Sequence, residues 1–517
     1  MHGDFAVQLT MEDSMTTTAA VDVLAGHEDN RQAGAQELKH NAVGLLGATM
    51  LGVVIMGPGL AVLFTWGFLI PTVGTTTAIM FVIAMALTLP TAYSYALINR
   101  RMPSAGATYK WASRLISPGV GITMGLCTTL FYAFIVVFTF PLQAQFFTDL
   151  IGTTSSTVFG LVTFGSFLLI IPFVYRGVTF SLDTAIVLAA LEVTIVVVVA
   201  VAAFVTSDSS HASLAPLDPS KLPSLGKLMP ALVLAFLAYT GYDAISTLAE
   251  ETKAPRRLIP KATILSVVTV GSFWVLMALI LSNALPPHVY TAAIDKGGFP
   301  LGAAAKSAFG DGGRIVTDIM GLEATFALAL AAMIGTTRIP YRMGRDGVIS
   351  GRFGTVHPRF KTPWFSISAA VVFVALTIGL LAIYLSMSFD ITLWCVNAVA
   401  FFSLTTYLMI NILNPLLHVR HFRSEFHWFS NGVVPLVGTA AVGWFFYKGF
   451  FQALWNVHGK LGRSVVWICL ALLAAAAIAA WASARRPGIG DAARAPGPDE
   501  PAGVDEQVLE RAAGDIG

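Results

Sequence analysis

The chain has 517 residues, of which 56% are hydrophobic and only 12% are charged. A soluble domain carries about 25% charged residues, so this composition excludes an ordinary soluble protein and indicates an integral membrane protein. The net charge of +2 gives no large excess of either sign, which argues against nucleic acid as a partner.

Two polar segments flank the apolar part of the chain. Residues 1–38 lack the basic, apolar and cleavage regions of a signal peptide. They are predicted to form a cytoplasmic tail, and the first span is expected to act as its own insertion signal. Residues 485–517 are rich in Ala, Gly, Pro and acidic residues, and this composition predicts a disordered cytoplasmic tail.

Twelve apolar runs between these tails are long enough to cross a bilayer, which takes about 20 helical residues. They begin near residues 41, 76, 118, 156, 180, 229, 262, 315, 363, 391, 429 and 463. Most Lys and Arg residues fall in the loops that follow the even-numbered runs, so those loops and both termini are predicted to be cytoplasmic. We therefore expect an all-α membrane protein with twelve transmembrane helices.

The first and the sixth runs are interrupted by residues that disfavour a continuous helix. The first contains Met56-Gly57-Pro58-Gly59 and the sixth contains Thr240-Gly241-Tyr242-Asp243. Backbone groups left unpaired in hydrocarbon cost several kcal/mol each, so such breaks persist only where protein or a water-filled cavity covers them. A pair of broken spans in corresponding positions of two halves is typical of the binding site of a transporter.

Three motifs resemble those of the amino acid–polyamine–organocation (APC) permeases. Residues 103–109 are similar to the family's Pro-Ser-Ala-Gly-Gly-x-Tyr loop, with alanine in place of the second glycine. Residues 241–260 match its Gly-Phe-Asp/Glu and Glu-Glu-x-Lys-x-Pro-x-Arg-x-Ile-Pro signature. Residues 345–347 and 357–363 match its Arg-Asp-Gly and His-Pro-x-x-x-Thr-Pro loop.

The resemblance implies a fold of five-plus-five inverted repeats, shared with sodium-coupled neurotransmitter transporters, and two additional helices. The ten-helix transport core would cover residues 39–420, and helices 11 and 12 would cover 421–484. The substrate site would lie at mid-membrane between spans 1, 3, 6, 8 and 10, and transport would proceed by alternating access.

Free backbone groups at the two breaks are the first candidates for substrate contacts. N–H groups at the start of a half-helix suit a carboxylate, and C=O groups at the end of a half-helix suit an ammonium. Pro58 departs from the small residue common in relatives and contributes no N–H, which leaves room for an amine that lacks a carboxylate. Alternatively, the glycines only permit close helix packing or a kink. The candidate residues are Met56, Gly57, Pro58, Gly59, Thr240, Gly241 and Tyr242.

Three carboxylates within the predicted spans are candidates for proton coupling. Glu192 lies near the middle of span 5, Glu323 in span 8, and Asp243 directly after the second break. Intramembrane acids are costly and usually functional, and burial without a counter-charge favours the protonated form. Each acid could instead bind a cation or substrate, or serve as a neutral structural group, and Asp243 could accept hydrogen bonds from the freed backbone.

Aromatic side chains near the breaks could close over a substrate, and their faces suit an ammonium group. These are Phe236, Tyr239 and Tyr242 in span 6 and Trp394 in span 10, where Asn397 is a further polar candidate. Ordinary helix packing is the alternative for each of them.

The sequence thus predicts a secondary carrier in the cell membrane for an amino acid or a small organic amine, with a proton as the coupling ion. A sodium-coupled or uncoupled exchanger and a substrate-sensing transceptor are the alternatives. No nucleophile elbow, phosphate loop or metal-spaced cluster is recognisable, so we expect no enzymatic activity, cofactor or metal. The sequence gives no indication of the oligomeric state.

Overall fold

The computed structural model describes residues 42–176, 178–208, 211–296, 298–456 and 462–495. The predicted N-terminal tail, 1–38, lies outside these residues, as does the C-terminal segment after 495. The described chain is helical and contains no strand beyond one isolated bridge between Val43 and Thr252.

Within the described residues, twelve helices are long and apolar enough to cross a membrane, which confirms the predicted number. Spans 1 to 12 are Leu45–Val73, Thr77–Arg101, Pro118–Ile151, Ser156–Tyr175, Phe180–Thr206, Ala231–Leu248, Pro255–Ala284, Asp311–Arg345, Trp364–Leu385, Asp390–His421, Trp428–Gln452 and Gly462–Ala484. Most begin within a few residues of the predicted positions. Span 7 begins earlier than expected, because Pro255 forms its first turn, where a missing N–H costs nothing.

Burial differs strongly among the spans. Spans 1, 3, 6 and 8 are mostly buried, whereas spans 4, 5, 9, 11 and 12 expose much of their surface. Large apolar side chains such as Leu168, Val187, Ile383 and Ile478 point outward, as expected for helices that face lipid tails. Span 1 contacts spans 5, 6, 7 and 8, and span 3 contacts spans 8 and 10. The two broken spans therefore lie at the centre of the bundle.

A short helix, Ile489–Arg494, lies within the C-terminal segment that was predicted to be disordered. It is held by Lys110, whose ammonium donates to the carbonyls of Ala492, Ala493 and Ala495 at 3.3, 3.3 and 2.8 Å. Composition, from which disorder was predicted for residues 485–517, does not reveal a tertiary contact that caps so short a helix, and the disordered tail as a whole stays a prediction.

Candidate functional site

The first break is centred on Gly57, which adopts a left-handed conformation with φ of 63°. Its N–H donates to the carbonyls of Val53 and Val54 at 3.2 and 3.0 Å and so ends the first half of span 1. The helix restarts at Pro58, whose fixed φ suits a first helical position. Glycine is needed here because an L side chain disfavours this conformation.

The second break is centred on Gly241, with φ of 115°. The N–H of Gly241 donates to the hydroxyl of Tyr407 in span 10 at 3.2 Å, and Tyr242–Leu248 continues as a 3₁₀-helix. A Cβ atom on Gly241 would lie 2.2 Å from Cγ2 of Ile55. Since Ile55 precedes the first break by two residues, the two breaks pack directly against each other.

A cavity of about 100 Å³ lies beside the two breaks, with space for several water molecules. Its wall comes from spans 1, 3, 6, 8 and 10, the spans that the resemblance implied. Two of the candidate residues, Met56 and Thr240, belong to it. The wall contains no charged side chain among the described residues and is formed by Ile55, Met56, Leu60, Ala61, Phe64, Thr65, Ile135, Phe138, Leu142, Leu234, Leu237, Ala238, Thr240, Leu328, Val396 and Val399.

A second hollow of about 220 Å³ lies towards the face that is predicted to be extracellular. Phe64 lines both the hollow and the cavity. Its ring packs against Phe68 and Phe389 with centroid distances of 4.8 and 6.3 Å. Phe64 therefore stands between the cavity and the hollow.

The opposite face, predicted to be cytoplasmic, is closed by buried charges and backbone bonds. Arg338 pairs with Glu251 at 3.2 Å, Arg342 with Glu250 at 2.8 Å, and Lys110 with Asp346 at 2.8 Å. Backbone bonds of 2.9 Å join Val43, just before span 1, to Glu251 and Lys253. Burial lowers the pKa of Lys110 to about 8, although Asp346 beside it acts in the opposite direction.

Glu192 reaches the first break from span 5. Its carboxylate accepts a hydrogen bond from the N–H of Gly59 at 3.0 Å, and the N–H of Leu60 faces the same group. Only 1% of Glu192 is exposed. A Cβ atom on Gly59 would lie 2.7 Å from Cβ of Glu192, so the glycine is what permits this approach.

Glu323 in span 8 lies close enough to Glu192 for the two carboxyl groups to interact electrostatically. Both of its side-chain oxygens are buried, and neither has a hydrogen-bond partner within the described chain. Two of the three predicted coupling acids thus lie on spans that pack against each other, spans 5 and 8.

Asp243 lies apart from this pair in a cluster of tyrosines. Its carboxylate accepts hydrogen bonds from the hydroxyls of Tyr132 at 2.5 Å and Tyr407 at 2.7 Å. Since Tyr407 also accepts the N–H of Gly241, Asp243 stabilises the second break through a side chain of span 10.

A family model described as amino acid permease matches residues 41–453. The chain belongs to this family. It is 26% identical over 440 residues to the low-affinity putrescine importer PlaP of Escherichia coli, covering 83% of this chain and 91% of PlaP. It is also 26% identical to the branched-chain amino acid permease BcaP of Bacillus subtilis, over 64% of this chain and 73% of BcaP.

A further relative of the permease is the methylthioribose transporter of Bacillus subtilis. The two are 24% identical over 77% of this chain and 86% of the relative. Together with the family match and the twelve apolar helices, these similarities confirm the predicted APC membership. The chain is a multi-pass membrane transporter of that family.

The other candidate side chains of the permease contact protein rather than the cavity. Tyr239 donates to the carbonyl of Phe81 at 3.0 Å, and Asn397 donates to the carbonyl of Leu393 at 2.8 Å.

The remaining aromatic candidates have ring or side-chain partners. Phe236 packs on Phe445, and Tyr242 packs on Tyr407. Trp394 packs on Phe134 and donates to the hydroxyl of Ser464. Their predicted roles in substrate binding stay predictions.

Sequence reasoning missed most of the cavity wall and both tyrosines that donate to Asp243. Most of the wall residues are Leu, Ile, Val, Phe and Ala in strongly apolar spans, so nothing in the sequence separates them from residues that face lipid. Tyr132 and Tyr407 were detectable only as polar atoms within spans 3 and 10, where a buried hydroxyl usually has a partner.

The Arg338→Ala variant is expected to lower the stability of the permease strongly. Arg338 and Glu251 are 3% and 1% exposed, and removing one partner of a buried pair leaves an uncompensated charge at a cost of about 3–5 kcal/mol. Thermal unfolding in detergent measures this loss. The double variant Arg338→Met, Glu251→Leu removes both charges and should recover most of it; equal destabilisation by both variants would contradict the explanation.

Proposed function

We propose that this permease is a secondary carrier that moves a small organic amine or amino acid across the cell membrane by alternating access, coupled to protons. Both termini would be cytoplasmic. The cavity between two broken spans supplies a binding site, and the charged network closes one face while the hollow beside Phe64 reaches towards the other. This arrangement corresponds to a state that faces outward.

The acid pair carries the proposal of proton coupling. Within the described chain Glu323 has no hydrogen-bond donor to stabilise a negative charge, and the carboxyl group of Glu192 interacts with it electrostatically. Two neighbouring carboxyl groups favour a state in which one of them holds a proton. Since Glu192 already accepts N–H donors, Glu323 is the better proton carrier. The contacts of Asp243 favour the structural role for that acid.

Sodium coupling would need hydroxyl and carbonyl ligands from spans 1 and 8. The available hydroxyl, that of Thr325, donates to the carbonyls of Gly321 and Leu322 in its own helix at 2.8 and 3.0 Å. These bonds use the hydroxyl proton and leave the oxygen lone pairs, so the proposal of proton coupling rests on the acid pair rather than on Thr325.

The test is uptake by proteoliposomes of labelled amines and amino acids, with an inward proton gradient compared with an inward sodium gradient. An inward gradient of one pH unit should give roughly tenfold accumulation per coupled proton, and a protonophore should abolish it. Accumulation that follows sodium, or uptake indifferent to both gradients, would contradict the proposed coupling.

A further inference from the structure

The start of the second half of span 1 would ordinarily offer free N–H groups to an anion. In this permease those donors are already in use. Pro58 has no N–H, the N–H of Gly59 donates to Glu192 at 3.0 Å, and the N–H of Leu60 faces the same carboxylate. A side chain of the protein thus uses the N–H donors that a substrate carboxylate at this half-helix start would need.

Glu192 is fixed in that place by packing. It is almost completely buried, and Gly59 is so close that a Cβ atom there would lie 2.9 Å from its Oε2 atom. A substrate carboxylate would have to displace this group and would then leave a buried charge without its donors. Since an uncompensated buried charge is strongly unfavourable, a second carboxylate is excluded from the position.

The other side of the break offers acceptors instead. In a continuous helix the N–H of Gly59 would bond to the carbonyl of Ile55, four residues earlier, but that N–H is turned to Glu192. Ile55 and Met56 end the first half of span 1, where the helix dipole is negative, and both line the cavity. Backbone carbonyls in this setting suit an ammonium group.

The rest of the cavity constrains the body of the ligand. Its described wall is aliphatic and aromatic, with two threonines and no carboxylate. A second ammonium group would find no counter-charge there, whereas a branched or linear hydrocarbon would bury apolar surface favourably.

We infer that the central site takes a primary amine with an apolar hydrocarbon body and no carboxylate, with Glu192 as a built-in replacement for the carboxylate of an amino acid. The inference rests on the proposed carrier function and narrows its substrate class. The named ligands of two relatives differ in this respect, since putrescine has no carboxylate and a branched-chain amino acid has one.

Equilibrium binding to the purified full-length permease tests the inference. The matched probes are isoamylamine and leucine, which share the ammonium and the branched chain and differ in the carboxylate, with putrescine as a diamine. The wild type should bind isoamylamine at least about tenfold more tightly than either other probe, as expected when a buried polar group loses its partners.

The Glu192→Ala variant frees the two N–H groups and should reverse the preference between leucine and isoamylamine. Leu191→Ala is the matched control, because Leu191 is the adjacent residue of span 5 and is 48% exposed. This control variant should keep the wild-type ratio of the affinities for isoamylamine and leucine. If the Glu192→Ala variant does not fold, the ratio of the wild-type affinities for isoamylamine and leucine still tests the inference.

Several outcomes would overturn the inference. They are wild-type binding of leucine or putrescine as tight as that of isoamylamine, binding of none of the three probes, and an unchanged ratio in folded Glu192→Ala. Because these are binding measurements, they leave the carrier function to the proteoliposome experiment, where uptake of another compound could still support it.

Discussion

The Glu323→Gln variant is expected to lose proton-driven accumulation while it retains downhill exchange of substrate. Glutamine has nearly the size of glutamate but does not take up or release a proton in this pH range. Neither oxygen of Glu323 has a hydrogen-bond partner among the described residues, so the substitution breaks no bond in this state. With the proposed proton carrier removed, the proton gradient should no longer drive accumulation of the substrate.

The measurement is accumulation in proteoliposomes under an inward gradient of one pH unit. The ratio of internal to external substrate should fall from roughly tenfold per coupled proton to about one, while counterflow of labelled against unlabelled substrate continues. Asp208→Asn, in an exposed position after span 5, is the control for loss of a carboxylate and should accumulate normally. Normal accumulation in Glu323→Gln would remove Glu323 from the coupling mechanism.

Glu192→Gln would be a less specific test of coupling. Its carboxylate also holds the N–H of Gly59, so its neutralisation changes the first break together with the acid pair. An effect of that variant on accumulation could therefore come from altered binding. Glu323 separates the two roles because its described contacts include no donor.

The broad features of the fold could be predicted from the sequence because each has a local physical signature. A span is a long apolar run, and Gly57, Pro58 and Gly241 are conspicuous because they interrupt such runs. The Pro255 start of span 7 was missed because the apolar run begins later than the helix. The helix Ile489–Arg494 was missed because its stability comes from Lys110, far away in the chain.

The site was only partly predictable because its chemistry depends on tertiary contacts. Glu192 and Glu323 could be recognised as costly acids, but their closeness follows from the packing of spans 5 and 8. Asp243 resembled them in sequence, yet Tyr132 and Tyr407 surround it with donors. Hydrogen-bond partners therefore distinguish the three acids in a way that their positions along the spans do not.

The Gly241→Ala variant is expected to be the most destabilising single change at the breaks. The backbone of Gly241 has a φ of 115°, which disfavours any L side chain and should cost about 1–3 kcal/mol of folding free energy in the alanine variant. The new methyl group would also lie 2.2 Å from Cγ2 of Ile55, and overpacking of this kind costs roughly 1–3 kcal/mol more. Thermal unfolding in detergent should show a large loss of stability, with little transport by the protein that remains folded.

Two further variants separate the strain from the clash. Gly74 has a φ of 58° with open space around its Cβ position, so Gly74→Ala should show the cost of strain alone. Ile55→Ala alone should lower the stability of the permease. In the Gly241→Ala background the same substitution removes the clashing atom, so the double variant should be more stable than Gly241→Ala alone. If the double variant were as unstable as the sum of both single changes, direct packing between the two breaks would not explain the effect. Recovery would mean that each break depends on the other, so that movement of one half-helix is transmitted directly to the second.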